Sequence, residues 1–377
     1  MKKIFFSIVA IAALAACSKS EVAYEPTDEI GFSVVAGNIT KSVVDGNVYP
    51  TELDMYVFAE TTDNTDAEAN YILNAPFTHR TEKVGTTDVW EGKNQSYYWP
   101  NVKKLHFAGY SDAGKANGSY DCQTGVLSIT DYTPKKGAEA EKEGANDLMW
   151  FPSTKLTNSD GYGKLVNDFV PVYMYHTCAW ITFIVKGDTV TSNKYTVTNL
   201  TMTGIDQTAN VTCSATGDGA DHEKIVPNIV WKANTDKTVA DDATEEQKQA
   251  IEYVVPMSGN ITLGATGKDV ETNAAYDPAA NAGGNVVVIP QVPGKLNLTY
   301  TYKSTTLDDI VEKVEGLDLA LAIDPNSADS NNPTKGPAEW LPGKHYIYTI
   351  TIKANEILIA PSVPVDWDDQ NWNVTVE

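Results

Sequence analysis

The chain has 377 residues, and its 28 lysines and arginines against 50 aspartates and glutamates give a formal net charge of −22. So acidic a surface repels phosphate backbones, which argues against proteins that bind DNA or RNA through cationic patches. The length allows roughly two domains of about 150 residues each. We therefore expect a two-domain protein with no nucleic-acid partner.

The N-terminal residues predict a lipoprotein signal. Two lysines precede an apolar run over residues 4–13, which is too short to span a bilayer and is typical of a secretory signal peptide. The next four residues, Leu14-Ala15-Ala16-Cys17, resemble the bacterial lipobox. This resemblance implies cleavage of a signal peptide over residues 1–16, acylation of the Cys17 thiol, and attachment to the outer membrane through that lipid. An ordinary signal peptide with an incidental Cys17 is the alternative interpretation.

Beyond the signal, residues 17–27 lack a hydrophobic period and predict a lipidated tether. From residue 28 onward, apolar and polar residues alternate in short segments separated by Gly, Pro, Asn and Asp, which indicates β-strands. Strands are predicted over residues 53–59, 104–110, 179–185, 195–202, 285–290, 295–302 and 345–353. The pattern predicts an all-β protein with two β-sandwich domains, an N-terminal one over residues 28–168 and a C-terminal one over residues 169–377.

One segment departs from this alternation. Leu307, Ile310, Val311 and Val314 are spaced i, i+3, i+4 and i+7, which is the spacing of an apolar helix face. Gly316 follows as a stop signal. The sequence therefore predicts a short helix here, inside an otherwise all-β chain.

Three cysteines remain once Cys17 is assigned to the lipid. They are Cys122, Cys178 and Cys213. In an oxidising envelope Cys178 and Cys213 could form a disulfide, since both fall in the predicted C-terminal domain. The alternative is that all three are small buried thiols, and the sequence leaves both possibilities open.

No catalytic or metal-binding pattern is found. The five histidines are scattered without a pair at ligand spacing, and there is no G-x-S-x-G elbow and no Walker loop. We therefore expect no enzymatic activity, no metal and no cofactor. Aromatic residues could form a stacking platform for sugars, although such residues equally seal the core of a β-sandwich. These aromatic residues are Trp90, Tyr97, Tyr98, Trp99, Trp150, Trp340, Trp367 and Trp372.

A series of segments resembles, in the same order, the fimbrillin family of lipoprotein pilins and pilus-associated subunits of Bacteroides-type anaerobic bacteria. The segments are Glu29–Val35, Thr40-Lys41-Ser42, Tyr97-Tyr98-Trp99-Pro100, Leu105–Tyr110, Asp147–Trp150, Val288-Ile289-Pro290-Gln291, Trp340–Tyr348 and Val365-Asp366-Trp367. Each segment alone is short. Together they extend over nearly the whole chain behind the lipobox.

The resemblance implies two tandem transthyretin-like, immunoglobulin-like β-sandwiches and assembly of the type V pilus kind. In that assembly a protease removes the first strand of a subunit, and a strand from a neighbouring subunit fills the groove. The implied partners are other fimbrial subunits, in a homo- or heteropolymer, and a host or bacterial surface ligand for adhesion. The family includes stalk, tip and anchor subunits, and the sequence does not distinguish among them.

On this chain the resemblance places the removable strand at residues 30–36 and the cleavage site between Lys41 and Ser42. Lysine stands where many family members have arginine, which favours a lysine-tolerant protease. The donor strand is then the C-terminal segment 371–377, and its apolar face consists of Trp372, Val374 and Val376. Two alternatives remain open: the tail as the last strand of its own domain, paired in cis, and the whole protein as a monomeric glycan-binding surface lipoprotein.

Overall fold

The computed structural model describes residues 29–36, 49–81, 87–111, 117–134, 147–165, 168–187, 194–217, 224–233, 253–255, 261–263, 285–303, 310–323, 334–353, 356–361 and 364–366. Regular structure in these residues is β-strand, apart from short 3-10 turns such as Thr154–Leu156. The strands are β1 (Phe32–Ala36), β2 (Met55–Thr61), β3 (Ile72–His79), β4 (Trp90–Gly92), β5 (Leu105–Ser111), β6 (Gly118–Asp121), β7 (Val126–Tyr132), β8 (Met149–Phe151), β9 (Val170–His176), β10 (Ala179–Gly187), β11 (Lys194–Thr203), β12 (Ala209–Thr216), β13 (Val226–Ala233), β14 (Tyr253–Val254), β15 (Ile261–Leu263), β16 (Asn285–Val288), β17 (Lys295–Lys303), β18 (Ile310–Asp318), β19 (Lys344–Ile352), β20 (Ile357–Pro361) and β21 (Val365–Asp366).

The N-terminal strands form a closed barrel in the order β1-β4-β3-β2-β5-β8-β9. Alternate side chains of these strands point inward and fill the barrel with aromatic and aliphatic groups, among them Phe32, Phe77 and Phe107. The opposite faces of β2, β5 and β8 also carry large apolar groups, for example Tyr110 and Trp150. The barrel therefore has an apolar patch on its outer surface that must be buried against another part of the chain.

The C-terminal part contains two sheets packed face to face. One has the order β16-β10-β19-β20, with β21 also paired to β19, and the other has the order β14-β11-β17-β18, with β15 paired to β11. Odd-numbered residues of β10 from Ala179 to Val185 and even-numbered residues of β19 from Tyr346 to Ile352 are buried between them. This period of two is the pattern that the sequence predicts for these strands.

A four-stranded sheet, in the order β13-β12-β7-β6, joins the two halves of the chain. The hairpin β6–β7 precedes residue 168, the hairpin β12–β13 follows it, and β7 pairs with β12. Its inner face forms a third core with the outside of the barrel and with Trp180 and Val287 of the C-terminal sandwich. Strand pairing thus crosses the boundary between residues 28–168 and 169–377, and that division stays a prediction about folding units.

The all-β class is confirmed, and the segments predicted as strands form β2, β5, β10, β11, β16, β17 and β19. No helix among the described residues is long and apolar enough to cross a membrane. Cys122, Cys178 and Cys213 are buried free thiols, which agrees with the thiol interpretation and not with a Cys178–Cys213 disulfide.

The helix predicted across residues 307–314 is wrong where the structure describes it. Residues from Ile310 onward form β18, an edge strand antiparallel to β17. Ile310 and Val311 are 39% and 67% exposed, so they do not form a buried helix face. Their β-branched side chains favour a strand, and β17 offers a hydrogen-bonding edge. Gly316 (φ 74°) lies at a bulge, where its N–H donates to Asn297 Oδ1 at 2.9 Å.

Candidate functional site

The first strand closes the barrel. β1 pairs in parallel with β9 at five positions, from Phe32 opposite Val170 to Ala36 opposite Met174. On its other side β1 meets β4 at the one position where Phe32 lies opposite Trp90. β1 is therefore held along its whole length on one edge and at one point on the other.

The inward side chains of β1, and that of Ile30 two residues before it, are part of the barrel core. Ile30 and Phe32 are fully buried, and Val34 is 7% exposed. The ring of Phe32 meets the rings of Phe77 and Phe107 edge-on, with centroids 5.1 and 5.2 Å apart. At 1.5–3 kcal/mol for each buried side chain, these three contribute on the order of 5–9 kcal/mol to the barrel. A segment that replaces β1 must supply a similar apolar surface.

The entrance to this position is narrow. A Cβ atom on Gly31 would lie 2.9 Å from Phe169 Cδ1 and 3.1 Å from Val89 Cγ1, so glycine allows the chain to pass between them. The N–H of Ile30 then donates to the carbonyl oxygen of Tyr97 at 2.7 Å. These contacts fix where the chain enters the gap between β4 and β9.

Without β1, the barrel would have two unpaired edges, β4 and β9, on either side of an apolar groove. Unpaired N–H and C=O groups along an exposed edge bind another extended chain readily. A segment with apolar residues at every second position satisfies both the edge and the groove. The chemistry of this site is therefore strand binding, and we call the position the β1 groove.

Several predicted site residues lie outside the described residues: Cys17, Lys41, Ser42, Trp372, Val374 and Val376. The structure does describe what flanks two of these segments. Ala36 ends β1 before Lys41, and β21 pairs with Lys344 and His345 of β19 shortly before the tail. Acylation at Cys17, cleavage after Lys41 and strand donation by the tail stay predictions.

The tryptophans considered as a sugar platform are core residues wherever the structure describes them. Trp90, Trp99, Trp150 and Trp340 are 0–6% exposed. The indole N–H of Trp340, for example, donates to the hydroxyl of Tyr348 at 3.0 Å. The interpretation as core seals is confirmed for these four residues, while Trp367 and Trp372 lie outside the described part.

Buried histidines are a feature that the sequence analysis missed. His176 Nδ1 lies 2.8 Å from Asp147 Oδ2, and this pair links β9 to the residue segment before β8. Burial lowers the pKa of His345 to about 3. The signal in the sequence is a histidine within an alternating apolar segment. No group of three or more His, Cys, Asp and Glu residues could hold a metal ion in the part of the chain that the structure describes.

Comparison with known proteins gives a consistent result. A model of the fimbrillin-like family matches residues 43–367, and a model of the prokaryotic membrane lipoprotein lipid attachment site matches residues 1–18. No curated protein matches the chain.

Several solved structures are similar to this chain. A fimbrial protein from Bacteroides vulgatus is 15% identical with a TM-score of 0.50, and the match covers 90% of this chain and 99% of that one. A candidate cell adhesion protein from Bacteroides uniformis is 13% identical with a TM-score of 0.44, over 91% and 100% of the two chains. The tip fimbrial protein Mfa3 from Porphyromonas gingivalis, with a C-terminal truncation, is 11% identical with a TM-score of 0.35, over 90% and 100%. At 15% identity, the match to the Bacteroides vulgatus protein concerns the fold alone.

Proposed function

The chain belongs to the fimbrillin-like family, and on that premise we propose that it is a fimbrial subunit that assembles by donor-strand exchange and contributes to cell adhesion. Residues 1–18 match a lipoprotein attachment site, which supports a lipid anchor on Cys17 and a position at the outer membrane surface. The observation that carries the proposal is the β1 groove. A short N-terminal strand fills the barrel core there and is held on its β4 side at a single register position.

The chain offers a matching donor. Ile30, Phe32 and Val34 are three apolar residues at alternate positions that point into the barrel. The C-terminal segment has the same spacing, with Trp372, Val374 and Val376 at alternate positions. A donor that runs parallel to β9, as β1 does, would place these side chains where those of β1 lie.

Proteolysis supplies the direction of the exchange. The β1 segment and the C-terminal segment each carry three apolar side chains at alternate positions. The free energy of burying them therefore favours neither segment strongly as the occupant of the β1 groove. Before cleavage, β1 has the advantage because it is covalently joined to the barrel, which gives it a high effective concentration. Cleavage between Lys41 and Ser42 removes that advantage, and a donor on a neighbouring subunit then competes on equal terms.

Limited digestion with a lysine-specific protease tests this proposal on the purified full chain. Wild-type protein should be cut after Lys41 and should then form ladders of polymers on gels run without boiling. Lys41→Ala should form no ladder. Lys41→Arg is the matched control: it resists the lysine-specific enzyme but forms ladders when trypsin is used.

A second variant tests the donor. Val374→Asp should be cleaved like the wild type but form no ladder, because a carboxylate would have to be buried in the groove. Protein that is cut at Lys41 with residues 371–377 intact, yet stays monomeric at high concentration, contradicts strand exchange. Retardation of that monomer in polysaccharide gels would then favour the glycan-binding alternative.

A further inference from the structure

The four-stranded sheet β13-β12-β7-β6 has one buried face and one exposed face. Its inward side chains, such as Leu127 and Val211, belong to the third core. The residues next to them point outward. One outward row crosses all four strands in register, and it consists of Ser119, Ser128, Thr212 and Val230. We call this outward surface the hydroxyl face.

Short uncharged side chains make up the middle of the hydroxyl face. Ser119 and Thr212 are exposed, and Val230 is 52% exposed. In the next row, Asn228 Nδ2 donates to Ser214 Oγ at 3.2 Å, which keeps these two side chains close to the sheet. The surface is therefore both flat and accessible.

Charged groups of the described part of this sheet stand at its rim. Asp121 lies at the β6 edge, Lys232 lies on β13, and Asp131 is exposed at the bulge of β7. The whole chain carries a net charge of −22. Two copies of such a chain repel each other over most of their surfaces, and like charges brought together in an interface cost several kcal/mol. The middle of the hydroxyl face carries no charged side chain, so two copies can meet there with less of this cost.

We propose that the hydroxyl face binds the hydroxyl face of a second copy of this chain in a two-fold symmetric contact. Such a contact joins copies side by side, whereas donor-strand exchange joins them end to end. It would link neighbouring fimbriae or neighbouring lipid-anchored subunits on one membrane.

Asp121 and Lys232, two of these three rim charges, support this symmetry. The register places Asp121 three strands away from Lys232, which is about 14 Å, and four residues away along the strand direction, which is about 13 Å. They therefore occupy opposite corners of the face. A two-fold axis along the other diagonal lays each Asp121 over Lys232 of the partner subunit. The strands of the two sheets then cross at about 90°, which is one of the two preferred orientations for packed sheets.

The size of the face predicts a weak contact. Four strands of this length present an area of roughly 400 Å², which is below the 800 Å² or so per partner of a stable complex. We therefore expect a dissociation constant of roughly 0.1–1 mM for two isolated copies. Many such contacts along two filaments, or among copies confined to one membrane, would add up through avidity.

Thr212 provides the test because it lies near the proposed two-fold axis. The protein used is the full chain with Lys41→Ala, so that strand exchange is blocked, measured by sedimentation equilibrium in density-matched detergent. The starting protein should dimerise as its concentration rises toward the millimolar range. Thr212→Glu and Thr212→Lys, each alone, should lower the association constant at least tenfold. In each variant, residue 212 of one copy faces the same charge on residue 212 of the second copy across the axis. An equal mixture of the two variants should associate again.

The control changes charge at a distant exposed position. Val102, in the loop before β5, is 94% exposed, and Val102→Glu should associate like the starting protein. The proposal is overturned if the starting protein stays monomeric, or if Thr212→Glu associates normally. Association that survives Thr212→Glu but is lost in Val230→Pro would show pairing along the β13 edge instead. Because Lys41→Ala is present throughout, failure here leaves the strand-exchange proposal untouched.

Discussion

The indole ring of Trp180 and the imidazole ring of His345 stack in parallel, with centroids 3.5 Å apart and planes 2° apart. The two residues are register partners on the parallel strands β10 and β19. Thr182 Oγ1 lies 2.8 Å from His345 Nε2, so the imidazole is hydrogen-bonded as well as stacked. Trp180 belongs to the third core, where the C-terminal sandwich meets the four-stranded sheet β13-β12-β7-β6. The titratable ring of His345 is therefore stacked on a residue of this contact.

This stack predicts a loss of stability in acid. Burial lowers the pKa of His345 from 6.5 to about 3, so the folded protein holds the neutral imidazole while the unfolded chain takes up a proton below pH 6.5. The stabilising effect is complete above pH 6.5 and is lost as the pH falls toward 3. At pH 4 the loss is on the order of 3 kcal/mol. Burial also lowers the pKa of His106, which acts in the same direction. Urea unfolding at pH 7, 5 and 4 measures the effect.

His345→Phe is the matched variant for this experiment. It keeps a ring on Trp180 and removes the titrating nitrogens, although Thr182 loses a partner and the variant is less stable at pH 7 by about 1 kcal/mol. The gap between wild type and variant should close, and then reverse, as the pH falls to 4. A constant gap at all three pH values would show that His345 does not titrate in this range.

The sequence predicted most of the strands that it identified, but not that one sheet contains strands from both halves of the chain. The alternation in β10 and β19 reports which side chains are buried, because one face of each strand meets a core. It does not report which core: Ile181 and Trp180 are both buried, yet they lie in different cores. The pairing of β7 with β12 depends on contacts between residues about 80 positions apart, and no local pattern encodes it.

The candidate site was predictable to a similar extent. The family resemblance predicted a strand at residues 30–36, and the structure has β1 at Phe32–Ala36. Its parallel pairing with β9, and its single register position on β4, required the structure because they depend on how the barrel closes. The helix prediction failed over residues 310–314, the described part of that segment, because apolar residues at helical spacing also occur by chance in an edge strand rich in β-branched residues.

Phe32→Ala should destabilise the barrel by about 3–5 kcal/mol, because it removes a fully buried ring and leaves a cavity against Phe77 and Phe107. Ser33→Ala is the control, since Ser33 is only partly buried. Urea unfolding followed by tryptophan fluorescence measures both. Equal stabilities for the two variants would mean that the first strand contributes little to the barrel, and the β1 groove would then lose its energetic basis.

The three described cysteines should be unreactive in the folded protein. Burial raises the pKa of Cys122 to about 11 and that of Cys178 to about 12, and it raises the pKa of Cys213 as well, so little thiolate is present at neutral pH. A thiol-specific chromophoric reagent should label none of them under native conditions and all three in denaturant. Labelling of Cys122 alone in denaturant would contradict this and would restore the Cys178–Cys213 disulfide.

Because the four-stranded sheet β13-β12-β7-β6 combines strands from both halves of the chain, we predict that the two halves unfold together. Leu127 lies on β7, is 1% exposed, and packs in the third core between the barrel and the C-terminal sandwich. Leu127→Ala should cost about 2–5 kcal/mol, and the cost should appear in both halves because the core belongs to both. Calorimetry should show one transition for the wild type and one, at lower temperature, for the variant. The exposed-side neighbour offers a control, since Ser128→Ala leaves this core intact. Two separate transitions, of which only one moves in Leu127→Ala, would instead support independent folding of residues 28–168 and 169–377.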